Sequence, residues 1–247
     1  MKSASLVMPY YKNPGMLAVH YQAWAAWAPE NKARLEVVLV DDGSPEGERA
    51  AEVERPAGLP PLRIFRVTED RPWHQHAARN IGAHEAGHEW LVLTDMDHLL
   101  PEATFVRLLA QKNKARVYTF GRLDAPDLKP TLHPVRGTPK PHPNSFAMTR
   151  DLYWRVGGYD EDYCGLYGTD GLFKSRLYAE AQERHLADCP LIRYPREVVA
   201  DASTRDLARK EGRAHNEKKE AARRKAELGR EGQILTLSMP YVRDWPA

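Results

Sequence analysis

The sequence predicts an α/β fold built on a mostly parallel sheet with helices on both faces. Three observations predict it. Short apolar runs rich in β-branched residues recur through the first half of the chain. Stretches with helical character separate them. Two of the runs stop in acid-bearing turns, at Asp41-Asp42 and at Asp95-Met96-Asp97. Alternating strands and helices make a layered sheet, and such sheets bind ligands beyond the carboxyl ends of their strands. The two acidic turns are therefore expected to line one crevice.

The elements follow in order. SLVMPY is a short buried strand, and Pro14-Gly15 opens a helical stretch rich in Ala, Trp and His that runs to Pro29. LEVVLV is a second buried strand and DDGSPEG a turn by composition. LRIFRV is a third strand. HQHAARNIGAHEAGHE is a helix whose small residues allow close approach to a sheet. WLVLT is the fourth strand, followed by the helix PEATFVRLLAQ with Pro101 in its first turn. Residues 121 to 145 are dense in Pro and His, which excludes long helices and central strands and predicts a long loop over the active face. From 145 to 182 the pattern is a strand, a short helix, a Gly-rich loop and an amphipathic helix. LIRYP and EVVADA read as short strands, residues 204 to 230 as a highly charged helix, and QILTLSMPYV as an edge strand folding back. No repeat or linker interrupts the 247 residues, so the chain is expected to form one domain.

Composition bounds the function. Hydrophobic residues make up 42% and charged residues 28%, ordinary for a globular protein. A net charge of +2 is too mild to imply a nucleic-acid partner. Two cysteines, Cys164 and Cys189, make no disulfide framework and point to a reducing, cytoplasmic setting. No apolar run approaches the ~20 residues a membrane-spanning helix needs. A peripheral membrane contact stays open. The helix at 204 to 230 mixes acids among its bases, with Glu220 and Arg224 at i,i+4 spacing. A solvated face explains that pattern, with contact to anionic lipid or nucleic acid as the alternative.

The chemistry concentrates in carboxylates. Asp95 and Asp97 end a buried strand, where two acids so close would repel and lose hydration. A hard divalent cation, Mg2+ or Mn2+, would relieve both costs and could grip a diphosphate. The alternative is an N-cap for the following helix. Asp41 and Asp42 sit where an acid can accept hydrogen bonds from a base or ribose. Asp170 closes the Gly-rich loop GLYGTD, where it can N-cap the helix that follows. Asp160, Glu161 and Asp162 read as a solvated turn. His98 and His215 read as surface or loop histidines, and the His-rich stretches have no zinc spacing. Trp73 and His74 lie close to the expected pocket. Tyr153, Trp154, Tyr159, Tyr163 and Tyr167 are expected mostly in the core, with one or two shaping an acceptor platform.

The segments VMPYYKNPG, VVLVDDGSPEG, ARNIGAHEAGHEWLVLTDMDHLLP and SFAMTRDLYWRVGGYDEDYCGLYGTDGLF occur in the order seen in family 2-like glycosyltransferases of the GT-A fold, which the chain resembles over residues 4 to 204. The later part resembles β-1,4-galactosyltransferases and polymerising N-acetylhexosaminyl- and glucuronosyltransferases. The resemblance implies a GT-A fold, with residues 1–120 binding a nucleotide sugar, 121–204 carrying acceptor and catalytic residues, and 205–247 forming the charged helix and tail. It implies inverting, metal-dependent transfer from a nucleoside-diphosphate sugar, a UDP-sugar first of all, to an acceptor hydroxyl. Pro9, Tyr10, Asp41, Asp42, Arg79, Asn80 and Asp95 would line the donor pocket. Asp97, with Asp95, would hold Mn2+ or Mg2+. Asp170 would be the general base, with Thr169 where the family has a further acid. Asp201 stands where relatives often place a metal-binding His. Three alternatives remain: a nucleotidyltransferase, a nucleotide-sugar-binding protein without activity, and a glycosyltransferase with a nucleic-acid acceptor.

Overall fold

The computed structural model describes residues 1–69, 75–130, 140–164, 170–199 and 237–246. Nine strands among them form one sheet. In chain order they are β1 (Ala4–Tyr10), β2 (Leu35–Asp41), β3 (Leu62–Val67), β4 (Trp90–Leu93), β5 (His98–Leu99), β6 (Arg116–Asp124), β7 (Lys140–Thr149), β8 (Gln182–Arg193) and β9 (Tyr241–Trp245). Their spatial order is β5-β8-β6-β7-β4-β1-β2-β3-β9. The run β4-β1-β2-β3 is parallel throughout, and β6 pairs β8 in parallel. β9, β7 and β5 run antiparallel to their neighbours. The pairings leave only those three strands opposed to the rest, so the sheet is mixed and mostly parallel, as the sequence predicted.

Side-chain alternation builds two cores on the two faces. Leu6 and Met8 of β1, Val37 and Leu39 of β2, and Val92 of β4 face one side. There they meet Leu17, Tyr21 and Trp24 of α1 (Pro14–Ala25). Behind a one-turn α2 (Pro29–Lys32), Phe105 and Leu108 of α4 (Glu102–Leu109) join the same core. Val7, Val38, Val40, Leu91 and Leu93 face the other side, against α3 (Gln75–Glu85), α5 (Arg150–Arg155) and α6 (Asp170–Glu180). The α1 start is fixed locally: Asn13 Oδ1 accepts the Met16 amide at 3.2 Å, and Pro14 supplies a preset φ at the first position.

The small residues of α3 do what the sequence implied. A Cβ on Gly82 would lie 2.3 Å from Val7 Cγ1. Val7 is fully buried, so it has nowhere to retreat. Gly82→Ala is expected to destabilise the fold by about 1–3 kcal/mol through overpacking, a net loss even though Ala is the better helix former by ~1 kcal/mol. Urea midpoints check this. Adding Val7→Ala should recover part of the loss, because the two sites share one contact.

The structure corrects the middle of the chain. The expected loop from 121 to 145 is strand at both ends, since β6 runs to Asp124 and β7 starts at Lys140. Pro141 and Pro143 fit because β7 is central only from Phe146 on. Before that residue it pairs β6 alone, with Gly121 opposite Pro141, and a one-sided strand tolerates residues without N–H. Residues 131–139 lie outside the described residues. LIRYP is the end of the twelve-residue β8. The described part of EVVADA, through Val199, is turn rather than strand. The tail does return as an edge strand, but later than expected: β9 covers Tyr241–Trp245 and pairs β3, with Asp244 taking Arg66 at 2.7 Å, while 237–240 are not strand and 233–236 lie outside the described residues.

Candidate active site

The parallel strands end on one rim. At β1 and β2, Asp42 N donates to the Tyr10 carbonyl at 2.8 Å, which brings the predicted pair Pro9-Tyr10 beside Asp41-Asp42. The Tyr10 ring is buried and its hydroxyl donates to the Glu48 carbonyl at 2.7 Å. Asp41 is fully buried. Its Oδ1 accepts the Ser44 amide and its Oδ2 the Ala50 amide, both at 2.8 Å. Burial pushes its pKa above the ordinary carboxylate range, against the pull of those amides. Asp41 therefore shapes the loop through Gly43, which adopts φ 85°. Asp42, nearly buried, continues the same rim.

At the end of β4 the chain makes a tight acidic turn. Three successive carbonyls are pinned from three directions. Asp95 O accepts the His98 amide at 3.0 Å, and Asp97 O accepts the Tyr194 amide at 2.8 Å. Met96 O accepts the imidazole Nε2 of His20, reaching from α1, at 2.7 Å. His20 is fully buried, which lowers its pKa to about 4. It is neutral at pH 7, and the bond to a carbonyl assigns the proton to Nε2. The N-cap alternative for these acids is excluded, because Pro101 occupies the N-cap of α4 and no side chain caps it.

The turn also corrects the reading of His98. It is 2% exposed rather than on the surface, and its Nδ1 lies 2.7 Å from Asp97 Oδ1. Burial would raise the Asp97 pKa, but His98 outweighs it and the carboxyl is held below its ordinary range. One ligand atom from each of Asp95, Asp97 and His98 lies within 4.8 Å of the others. Two carboxylates and an imidazole at that spacing fit a divalent first-row cation. The sequence missed His98 because a lone histidine carries no periodic signal. Its signal lies in sheet pairing, where the two-residue β5 sets His98 opposite Arg193.

Arg79 organises the floor. It comes from the first turns of α3 and is fully buried. Nη1 donates to the Asn144 carbonyl at 3.0 Å and to Tyr159 Oη at 2.8 Å, while Nη2 donates to Asp95 Oδ1. The same Asp95 oxygen accepts Gln75 Nε2 at 2.6 Å. Burial works against the Arg79 charge, but Tyr159, Asp95 and Asp170 outweigh it, so its pKa is raised and the side chain stays cationic. Asp170, the first residue of α6, is 8% exposed. Burial pushes its pKa up, Arg79 pulls it down, and Asp95 pushes it up again. Asp95 and Asp170 thus both meet the first turns of α3, Asp95 at Arg79 and Gln75 and Asp170 beside His76. His76 Nε2 stands 3.9 Å from Asp170 Oδ1. Burial lowers the His76 pKa to about 4, so this contact involves a neutral imidazole at pH 7 rather than an ion pair.

Asn80 does not face the crevice. Its Nδ2 donates to Tyr159 O at 2.8 Å and Glu161 Oε1 at 2.9 Å. Its Oδ1 accepts Tyr153 Oη at 2.6 Å and the Tyr159 amide at 2.9 Å. Those four bonds use the full capacity of an amide side chain. The expected donor-facing role is corrected to a structural one: Asn80 fastens α3 to the segment after α5. Gly158, at φ 61°, is required there, since a Cβ would stand 2.8 Å from Asn80 Oδ1. Glu161 is corrected as well. It is buried, not solvated, and its Oε2 accepts Ser238 N at 2.7 Å and Ser238 Oγ at 2.6 Å, latching the tail. Tyr153, Tyr159 and Tyr163 are core residues, as expected, with Tyr159 stacked on Phe173 at 4.2 Å. Cys164 and Cys189 form no disulfide with each other. Trp73, His74, Tyr167, Thr169, Asp201, His215 and the charged stretch 204–230 lie outside the described residues. Among the described residues no helix is long and apolar enough to cross a membrane.

Comparison with known proteins agrees with this architecture. The family model described as glycosyl transferase family 2 matches residues 5–167. The S. aureus TarS 1–349 structure superposes with a TM-score of 0.60 at 17% identity, covering 79% of this chain and 61% of that one. TarS 1–349 in complex with UDP-GlcNAc gives 0.65 at 15% identity, covering 95% and 68%. The mannosyltransferase PcManGT from Pyrobaculum calidifontis, in complex with GDP-Man and Mn2+, gives 0.54 at 17% identity, covering 91% and 69%. The chain thus spans about three fifths of the length of the first of these. No curated protein matches.

Proposed function

As the chain belongs to glycosyl transferase family 2, we propose that this glycosyltransferase moves a sugar from a nucleoside-diphosphate donor, UDP-linked first of all, to an acceptor hydroxyl with inversion. The observation that carries the reading is the acidic turn after β4, where Asp95 pairs with buried Arg79 and gathers with Asp97 and His98, while Asp170 lies against the same helix α3 beside His76. Asp95 follows β4 and buried Asp170 begins α6. That arrangement supports a diphosphate grip at Asp95 and a proton acceptor at Asp170.

Pro9 and Asp42 serve the base and ribose end, with buried Tyr10 and Asp41 holding its loops from beneath, Asp41 through its two amide bonds. Asp95 and Asp97 hold the divalent ion, Mn2+ or Mg2+, whose chemistry is to neutralise charge on the departing diphosphate. Arg79 keeps Asp95 in place and balances the buried carboxylates. Asp170 accepts the proton of the acceptor hydroxyl as its oxygen bonds the anomeric carbon. The bond from that carbon to the diphosphate oxygen breaks in the same step, and the nucleoside diphosphate leaves with the electron pair. The single-domain organisation, with residues 1–120 serving the donor and 121–204 the acceptor, belongs to this reading. So does a role for Asp201 as a further cation ligand.

A thermal-shift screen of UDP, GDP and their sugars, each with and without Mn2+, tests it. A ligand bound only by the folded form at 100 times its Kd stabilises by about 2.7 kcal/mol. The expected result is a Tm rise with a nucleoside diphosphate that grows when Mn2+ is present. No shift with any nucleotide would remove the reading.

A further inference from the structure

We propose that His98 is a direct nitrogen ligand of the cation site, completing an Asp95–Asp97–His98 set that discriminates against Mg2+ in favour of Mn2+ and later first-row ions. The proposal rests on the donor-binding reading of the same crevice and adds to it the identity of the third ligand and the metal preference.

The geometry supports it in three ways. First, the donor atoms are already gathered, with one from each residue within 4.8 Å of the others. His98 Nδ1 and Asp97 Oδ1 stand 2.7 Å apart, close to the ~3 Å between neighbouring ligands of one ion at the ~2.1 Å bond lengths of an octahedral site. Second, the imidazole is fixed. His98 is 2% exposed and is held in a strand pairing opposite Arg193. Third, the backbone carrying the three ligands is immobilised, with the carbonyls of Asp95, Met96 and Asp97 each accepting a bond from a different partner. A turn held at every peptide presents its side chains without reorganisation, as a preorganised metal site requires.

Chemistry gives the selectivity. Mg2+ takes oxygen and water and tolerates nitrogen poorly, whereas the first-row divalent ions accept imidazole with rising affinity along their series. The rival account is that His98 only donates an Nδ1–H bond to Asp97 and orients it. The two accounts differ in one observable, which is whether nitrogen is bonded to the ion.

The test is pulsed electron paramagnetic resonance on the full chain loaded with Mn2+ and UDP, read for nitrogen-14 modulation from a coordinated imidazole. Competition of Mg2+ against Mn2+ is measured beside it. The expected result is clear nitrogen modulation in the native chain, lost in His98→Gln and His98→Asn. In those variants the Mn2+ over Mg2+ preference should fall at least about tenfold. Bound Mn2+ without nitrogen modulation in the native chain overturns the proposal and leaves the donor-binding reading standing. Modulation that persists in a folded variant also overturns it, since another imidazole is then the source. Absence of any Mn2+ binding with UDP overturns both. If neither variant folds, the native spectrum alone decides.

Discussion

Asp170→Asn is expected to lower kcat by about 10²–10⁴-fold, the usual contribution of a positioned general base, while Mn2+-dependent nucleotide binding survives. Asparagine keeps the shape of the side chain and removes its charge and its capacity to take a proton. The split is the check. Steady-state rates with a matched donor should collapse, and the thermal shift with nucleotide and Mn2+ should not. Loss of both would mean that Asp170 serves the fold, and retention of rate would remove it from the chemistry. The pH profile adds a second reading. Burial raises the Asp170 pKa above the ordinary carboxylate range, with Asp95 pushing the same way and Arg79 opposing. The base is therefore ionised only above that raised value, and kcat/KM should climb with pH through an acid limb displaced upward. The linkage to stability has a definite sign. A carboxyl whose folded pKa exceeds its unfolded one binds its proton more tightly when folded, so its contribution falls as pH rises through that interval. Asp170→Asn removes the term and is expected to raise Tm slightly at neutral pH, which is how stability and activity oppose each other at a catalytic group.

Arg79→Met is expected to cost about 3–5 kcal/mol, the range for removing one partner of a buried charge pair. Methionine fills much of the volume but leaves Asp95 without its cation. It also strands the Asn144 carbonyl and the Tyr159 hydroxyl that the guanidinium satisfied. Arg79→Lys should lie between the two, since a point charge with three donors cannot hold three separated partners from one planar fork. Chemical denaturation checks the order native, Lys, Met. A loss under about 1 kcal/mol for Met would mean that the acids relax into solvent, and Arg79 would lose its organising role.

Much of the fold was legible because its signals are local. The strands SLVMPY, LEVVLV and LRIFRV are compact β-branched or apolar runs between turn residues, and they stand within a residue of where the pattern set them. The middle failed because proline density outweighs strand propensity in a sequence reading. What admits Pro141 and Pro143 is the lack of a second neighbour before Phe146, a fact of sheet order. Glu161 failed for a related reason. Its run of acids, Asp160 to Asp162, looks solvated until the tail returns from 77 residues downstream to supply Ser238 as a donor.

The sequence by itself determined the layered α/β class, the rim where the parallel strands end, and the acids on that rim. These follow from periodicity, strand ends and the spacing of like charges, all short-range properties of the chain. Only the tertiary structure decided how those residues share the work. It turned Asn80 inward to bind its own scaffold, buried His98 against Asp97, set His20 under the acidic turn, and drew Asp95 and Asp170 onto one helix. A side chain's role depends on which partners satisfy it in a low-dielectric interior, and those partners come from strands and helices far away along the chain.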